Sequence, residues 1–173
     1  MGPFYEIYGL SENRDKETIE RFLEHFTFRN LIEDRKGQEI SVHSNVKYGV
    51  EEFFKPVKTL SQVIQFGINH PNIGFAFYIG NGKNLKPGIG DVLLKFTFDS
   101  KLIFGVGIEE KVVLKDGSVV SNFPFAVEVK EQLIELTGAY KTSIQFEYPP
   151  SDDEAEFDED MEMWKDLTNG KIS

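Results

Sequence analysis

Residues 72–109 read NIGFAFYIGNGKNLKPGIGDVLLKFTFDSKLIFGVGIE, and this stretch decides the fold. Three successive strands are expected, at 73–79, 91–98 and 102–108. In the second, Val92, Leu94, Phe96 and Phe98 alternate with Leu93, Lys95 and Thr97. In the third, Leu102, Phe104, Val106 and Ile108 alternate with Ile103, Gly105 and Gly107. Period-2 alternation rich in Phe, Val and Ile marks a half-buried strand. The short Asp99-Ser100-Lys101 link makes the last two strands an antiparallel hairpin. One face of this sheet is a large apolar surface that needs cover.

Three amphipathic helices flank the stretch to supply that cover. Asp15 is a good N-cap for a helix whose stripe is Ile19, Phe22, Leu23 and Phe26. Thr59 with Gln62 forms a capping-box pattern ahead of Leu60, Val63, Ile64, Gly67 and Ile68, and Pro71 ends that helix. Asn122 caps a third helix carrying Ala126, Val129, Leu133 and Leu136, with Pro124 in its first turn and Gly138 as its stop. Further strands are expected at 4–10, 29–33, 39–43, 142–148 and on either side of the Asp116-Gly117 turn, at 111–115 and 118–120. Residues 35–37 read as a turn. Pro56 forbids a helix through 46–56, where a short helical turn at 50–54 is the best reading.

The fold class is therefore α+β, with a largely antiparallel sheet of about seven to nine strands under three helices. Residues 1–150 make one domain, closed by Pro149-Pro150. Its order β-α-β-β-α-β over 4–80, followed by a degenerate counterpart over 91–148, is compatible with two ferredoxin-like halves, 1–82 and 88–150. Gly105 and Gly107 within a strand imply a bulge or a close approach, with a tightly packed helix as the expected neighbour.

Charge is concentrated at the C-terminal end. The chain of 173 residues carries a net charge of −10, from 29 acids and 19 bases. Eight acids, from Asp152 to Glu162, fall in 151–163 with no base among them; the rest of the chain is left with 21 acids against 19 bases, a balance of −2. A body so close to neutral argues against nucleic-acid binding through a basic field. Residues 151–173 read as an acidic amphipathic helix or tail. Ser151 and Glu154 fit a capping box, and Phe157, Met161, Trp164 and Thr168 share one face. A disordered tail and a helix that orders on a partner are the competing readings. The spacing does not fit a calcium loop, whose sixth position needs Gly where Phe157 stands.

No catalytic constellation, metal site or cofactor motif is found in the sequence. There is no cysteine, and no serine sits in a nucleophile elbow. His25, His43 and His70 are scattered, and Glu51-Glu52 and Glu109-Glu110 are merely adjacent. Neither a signal-peptide pattern at the start nor a run of apolar residues long enough for a membrane helix is present, so a cytoplasmic protein without membrane partners is expected. The leading functional expectation is a non-enzymatic protein-binding module of inhibitor or adaptor type. It would meet a basic partner through Asp152, Asp153, Glu156, Asp158, Glu159, Asp160 and Glu162. The alternative is a small anionic ligand, or a reaction on one, at the Gly-rich loop 80–90, with Gly82, Lys83, Lys86 and Gly88 as contacts. That loop matches no phosphate-binding motif, and a long flexible hairpin connection is its plainer reading.

Overall fold

A computed structural model describes residues 2–43 and 52–171. In chain order the elements are β1 (Phe4–Ser11), α1 (Lys16–Phe26), β2 (Asp34–His43), β3 (Glu52–Thr59), α2 (Leu60–Asn69), β4 (Phe75–Ile79), β5 (Asp91–Phe96), β6 (Leu102–Glu109), β7 (Lys111–Val113), β8 (Val119–Ser121), α3 (Phe123–Thr137), β9 (Lys141–Phe146), α4 (Glu154–Met163) and α5 (Lys165–Thr168). The protein is α+β, and its described strands pair antiparallel throughout. Among the described residues no helix is long and apolar enough to cross a membrane.

The strands do not form one large sheet. Five of them make the central sheet, in the order β4-β5-β6-β1-β9, while β2-β3 and β7-β8 are separate two-stranded hairpins. The first strand of the chain lies between β6 and the last strand, so the sheet does not divide near residues 82–88. In a ferredoxin-like half β1 would pair with β4; here β4 pairs with β5 and forms the sheet's far edge.

The alternation seen in the sequence becomes the two faces of this sheet. Ile7, Val92, Leu94, Phe104, Val106 and Ile144 face the helices, where they join Ile19 and Phe22 of α1, Leu60 and Val63 of α2, and Val129 and Leu133 of α3 in the main core. The expected caps of α1 and α2 are present: Asp15 accepts from the Thr18 N–H, and Thr59 and Gln62 form a reciprocal capping box. Gly138 ends α3 in the left-handed region.

Local expectations fail where side chains find better partners. Residues Arg29–Leu31 form a turn of 3-10 helix rather than a strand. Residues 35–37 lie within β2, at a register irregularity between Asp34 and Gln38, and Gly37 has φ +87°. Residues 52–54 belong to a strand, not a helical turn; 50 and 51 lie outside the described residues. Pro56 is tolerated in a two-stranded hairpin, where one side of each strand has no partner. Asn122 does not cap α3 with its side chain, which donates instead to the Glu109 carbonyl.

One side chain ties the layers together. Arg14 donates five hydrogen bonds to backbone carbonyls: Gly67 and His70 at the end of α2, Ile73 just before β4, and Thr97 and Lys101 at the β5–β6 turn. Its guanidinium lies 5.1 Å from the centre of the Phe96 ring. Burial lowers its pKa to about 10, which still leaves it charged. The Phe96 ring fits because position 67 is glycine; a Cβ there would stand 2.3 Å from a ring carbon. Arg14→Leu leaves these carbonyls without their donor. It is expected to cost about 3 kcal/mol in a urea unfolding experiment, against less than about 0.5 for Lys16→Leu on the exposed side of α1.

Candidate functional site

The second face of the sheet carries the charged residues. Cross-strand register arranges them in three rows. The first is Lys95, Ile103, Leu10 and Lys141; the second is Leu93, Gly105, Tyr8 and Ser143; the third is Asp91, Gly107, Glu6 and Gln145. The acidic helix covers the first two. Phe157, only 1% exposed, and Met161 pack with Tyr8, Leu10, Leu93, Ile103 and Ala76.

Docking places the acids of this segment unequally. Asp152 pairs with Lys95 at 2.9 Å, and Asp158 with Lys141 at 2.5 Å. Glu154 meets Lys101 at 3.2 Å and Lys141 at 3.0 Å and accepts from the Tyr140 hydroxyl. The Tyr140 hydrogen bond, followed by that from Lys141, holds the Glu154 carboxyl down at about 2. Asp153 and Asp160 are corrections to the expected partner-binding set, because they are 4% and 5% exposed and face the protein itself. Asp153 is the true N-cap of α4, accepting from the Glu156 N–H; Ser151, expected in that role, donates to Asp160 at 2.6 Å. Glu156 is half-buried, and burial followed by repulsion from Asp152 raises its pKa. Asp158, Glu159 and Glu162 are the outward acids, with Glu162 paired to Lys165.

After α4 the chain turns around the edge of the sheet. Trp164 meets the Tyr148 ring edge-on at 5.6 Å, and Leu167 reaches the main core. The Thr168 hydroxyl accepts from the Ile144 N–H and has the Trp164 and Ile144 carbonyls, at 3.0 and 3.3 Å, as acceptors for its one proton. The segment thus satisfies backbone groups on the outer side of edge strand β9.

The loop 80–90 is pinned rather than loose. Leu85 is buried and bridges to Thr27, and backbone bonds join Phe28 to Asn84 and Lys86 to Phe26. Its four expected ligand residues are not brought together. Lys83 lines a cleft of about 730 Å³ with Arg35, Gln38, Tyr78, Asn81 and Asn84. Gly82 and Gly88 line a different cleft of about 460 Å³, with Phe4, Ile89, Glu109 and Phe125. The Lys86 ammonium lies 4.8 Å from the centre of the Phe28 ring.

The third row is a grouping that sequence reasoning missed. Glu6 and Asp91 both neighbour Gly107, one from each side. The glycine makes room for the Asp91 carboxylate, since a Cβ at 107 would lie 2.4 Å from its Oδ1. Gly105 does the same for the Tyr8 ring and Gly90 for the Phe4 ring. Neither a bulge nor a helix explains these strand glycines; the neighbouring side chains do. Burial, then repulsion from Asp91 and Glu147, raises the Glu6 carboxyl to about 8. Burial also raises Asp91, against a hydrogen bond from the Gly107 backbone. Among the described residues no cation acts on either carboxyl. The alternation of β1 put Glu6 on the face of Tyr8, but only the pairing of three distant strands sets it beside Asp91.

The chain matches no family model, and it resembles no curated protein and no solved structure.

A carboxyl raised by folding stabilises the native state below its unfolded pKa and loses that contribution as pH rises through the folded one. Stability should therefore fall between pH 4.5 and about 8 as Glu6 ionises. Glu6→Gln is expected to flatten that fall. Urea midpoints across this range should make the variant more stable than the wild type by about 2 kcal/mol at the alkaline end and close to equal at the acid end.

Proposed function

We propose that the protein is a non-enzymatic binding module, of inhibitor or adaptor type, that meets a basic protein partner through an acidic surface. The observation that supports this reading is the presentation of Asp158, Glu159 and Glu162 on an ordered helix, α4, anchored to the sheet by Phe157. A preorganised row of carboxylates loses little conformational entropy when a partner docks. The pairs Asp158–Lys141 and Glu162–Lys165 are partly exposed and therefore weak, so a basic partner can displace the lysines at small cost. Such a surface accelerates encounter and suppresses acidic competitors.

The test is capture from the native host at low salt with the wild-type chain and with a variant carrying Asp158→Asn, Glu159→Gln and Glu162→Gln. A basic protein should be retained by the first, released by salt, and weakened at least about tenfold on the second. Equal retention on both would overturn the reading.

A second reading is supported by the cleft that Lys83 shares with Arg35, which two cations, one carboxylate (Asp34) and the side-chain amides of Gln38, Asn81 and Asn84 line. It takes a small phosphorylated or carboxylated ligand there. Thermal shift with a panel of phosphorylated metabolites should raise Tm with the wild type and not with Arg35→Gln/Lys83→Gln; no rise at about millimolar ligand would remove this reading.

A further inference from the structure

We infer that the row Asp91–Gly107–Glu6–Gln145 is a seat for an organic cation, a guanidinium or alkylammonium head, presented by an arginine or lysine side chain of a protein partner. The row offers acceptors from three strands. Because position 107 has no side chain, the Asp91 carboxylate lies over it, toward Glu6 on the next strand. Gln145, the cross-strand neighbour of Glu6, is 1% exposed; its Nε2 donates to Ser143 and its Oε1 is left buried without a partner. A buried acceptor with no donor costs free energy unless a donor arrives from outside.

Asp91 and Glu147 repel the Glu6 carboxylate, which in turn acts on the Tyr8 and Tyr78 hydroxyls. The Tyr8 hydroxyl is already committed, donating to the Tyr148 carbonyl at 2.5 Å. Half-buried carboxyls without a counter-ion weaken the fold at neutral pH and gain it nothing, the pattern of a functional site rather than a structural one.

The walls choose the kind of cation. The Phe4 ring lies over Gly90 and the Tyr8 ring over Gly105, and Tyr78 stands exposed beside Leu93. Aromatic surfaces next to carboxylates suit an organic cation, which gains from both. Among the described residues no three acidic or histidine side chains are grouped to hold a metal ion. The cleft of Phe4, Ile89 and Phe125, with Glu109 and Asn122 also lining it, adjoins the row through Phe4 and offers a place for the aliphatic stem of such a side chain.

This inference rests on the basic-partner reading only for the carrier of the cation; the seat itself is tested with a free ligand. The probe is agmatine, followed by carboxyl-carbon NMR of the wild-type chain. In the free protein the Glu6 carboxyl should titrate near 8. With about 50 mM agmatine its midpoint should fall by at least about one pH unit, and binding should tighten as pH rises. Glu6→Gln/Asp91→Asn, which keeps the shape of both side chains, should weaken agmatine at least about tenfold. The α4 triple variant should bind it unchanged, so that failure of the helix surface and failure of this seat are distinguishable. No movement of the Glu6 or Asp91 signals, or the same movement with magnesium chloride, would overturn the inference.

Discussion

One face of the central sheet is apolar throughout and the other carries an apolar cluster among charged residues, and covering both is the constraint on which the rest of the structure depends. The first face receives three helices, as the patterning of Phe22, Val63 and Val129 requires. The second presents Tyr8, Leu10, Leu93 and Ile103. Left open, these would form a patch large enough to invite association. The chain covers them with its own acidic end. Burying a phenylalanine such as Phe157 contributes roughly 1.5–3 kcal/mol, and Lys95, Lys101 and Lys141 receive the carboxylates around it. Much of what looked like a free acidic surface is thus internal charge pairing.

In the third row Glu6 and Asp91 remain partly exposed beside the buried Gln145, and there the sheet behaves differently. Glycines at 90, 105 and 107 let Phe4, Tyr8 and Asp91 lie flat on neighbouring backbone. This draws carboxylates into half-buried positions without bringing a cation to them. Several buried charged groups elsewhere are answered: Arg14 by five carbonyls, Asp160 by Ser151, Glu154 by two lysines and a tyrosine; Glu156, beside Asp152 and Asp160, is a second exception on the acidic helix. The contrast gives the Glu6 and Asp91 pair its functional interest.

How much could be read from the sequence varied with the range of the interaction concerned. The caps of α1 and α2 and the strands β5 and β6 are local patterns, and they appear as expected. The cap at Ser151 was misplaced because its hydroxyl has a better partner nine residues on, in Asp160. The loop 80–90 has the composition of a flexible linker, yet Leu85 and Lys86 fasten it to the end of α1. The grouping of Glu6 with Asp91 had no local signal at all beyond the unexplained glycines of β6.

By itself, the sequence determined the class of the protein, its apolar stripes, most of its helix ends and the concentration of acid beyond Pro150, because propensity, periodicity and capping act over a few residues. Strand order was decided only in three dimensions. Placing β1 between β6 and β9 depends on contacts between chain segments 91 to 141 residues apart, which leave no local pattern. That order also decided which carboxylates of an acidic chain are paired with lysines, and it set Glu6 beside Asp91 with no counter-charge acting on them among the described residues.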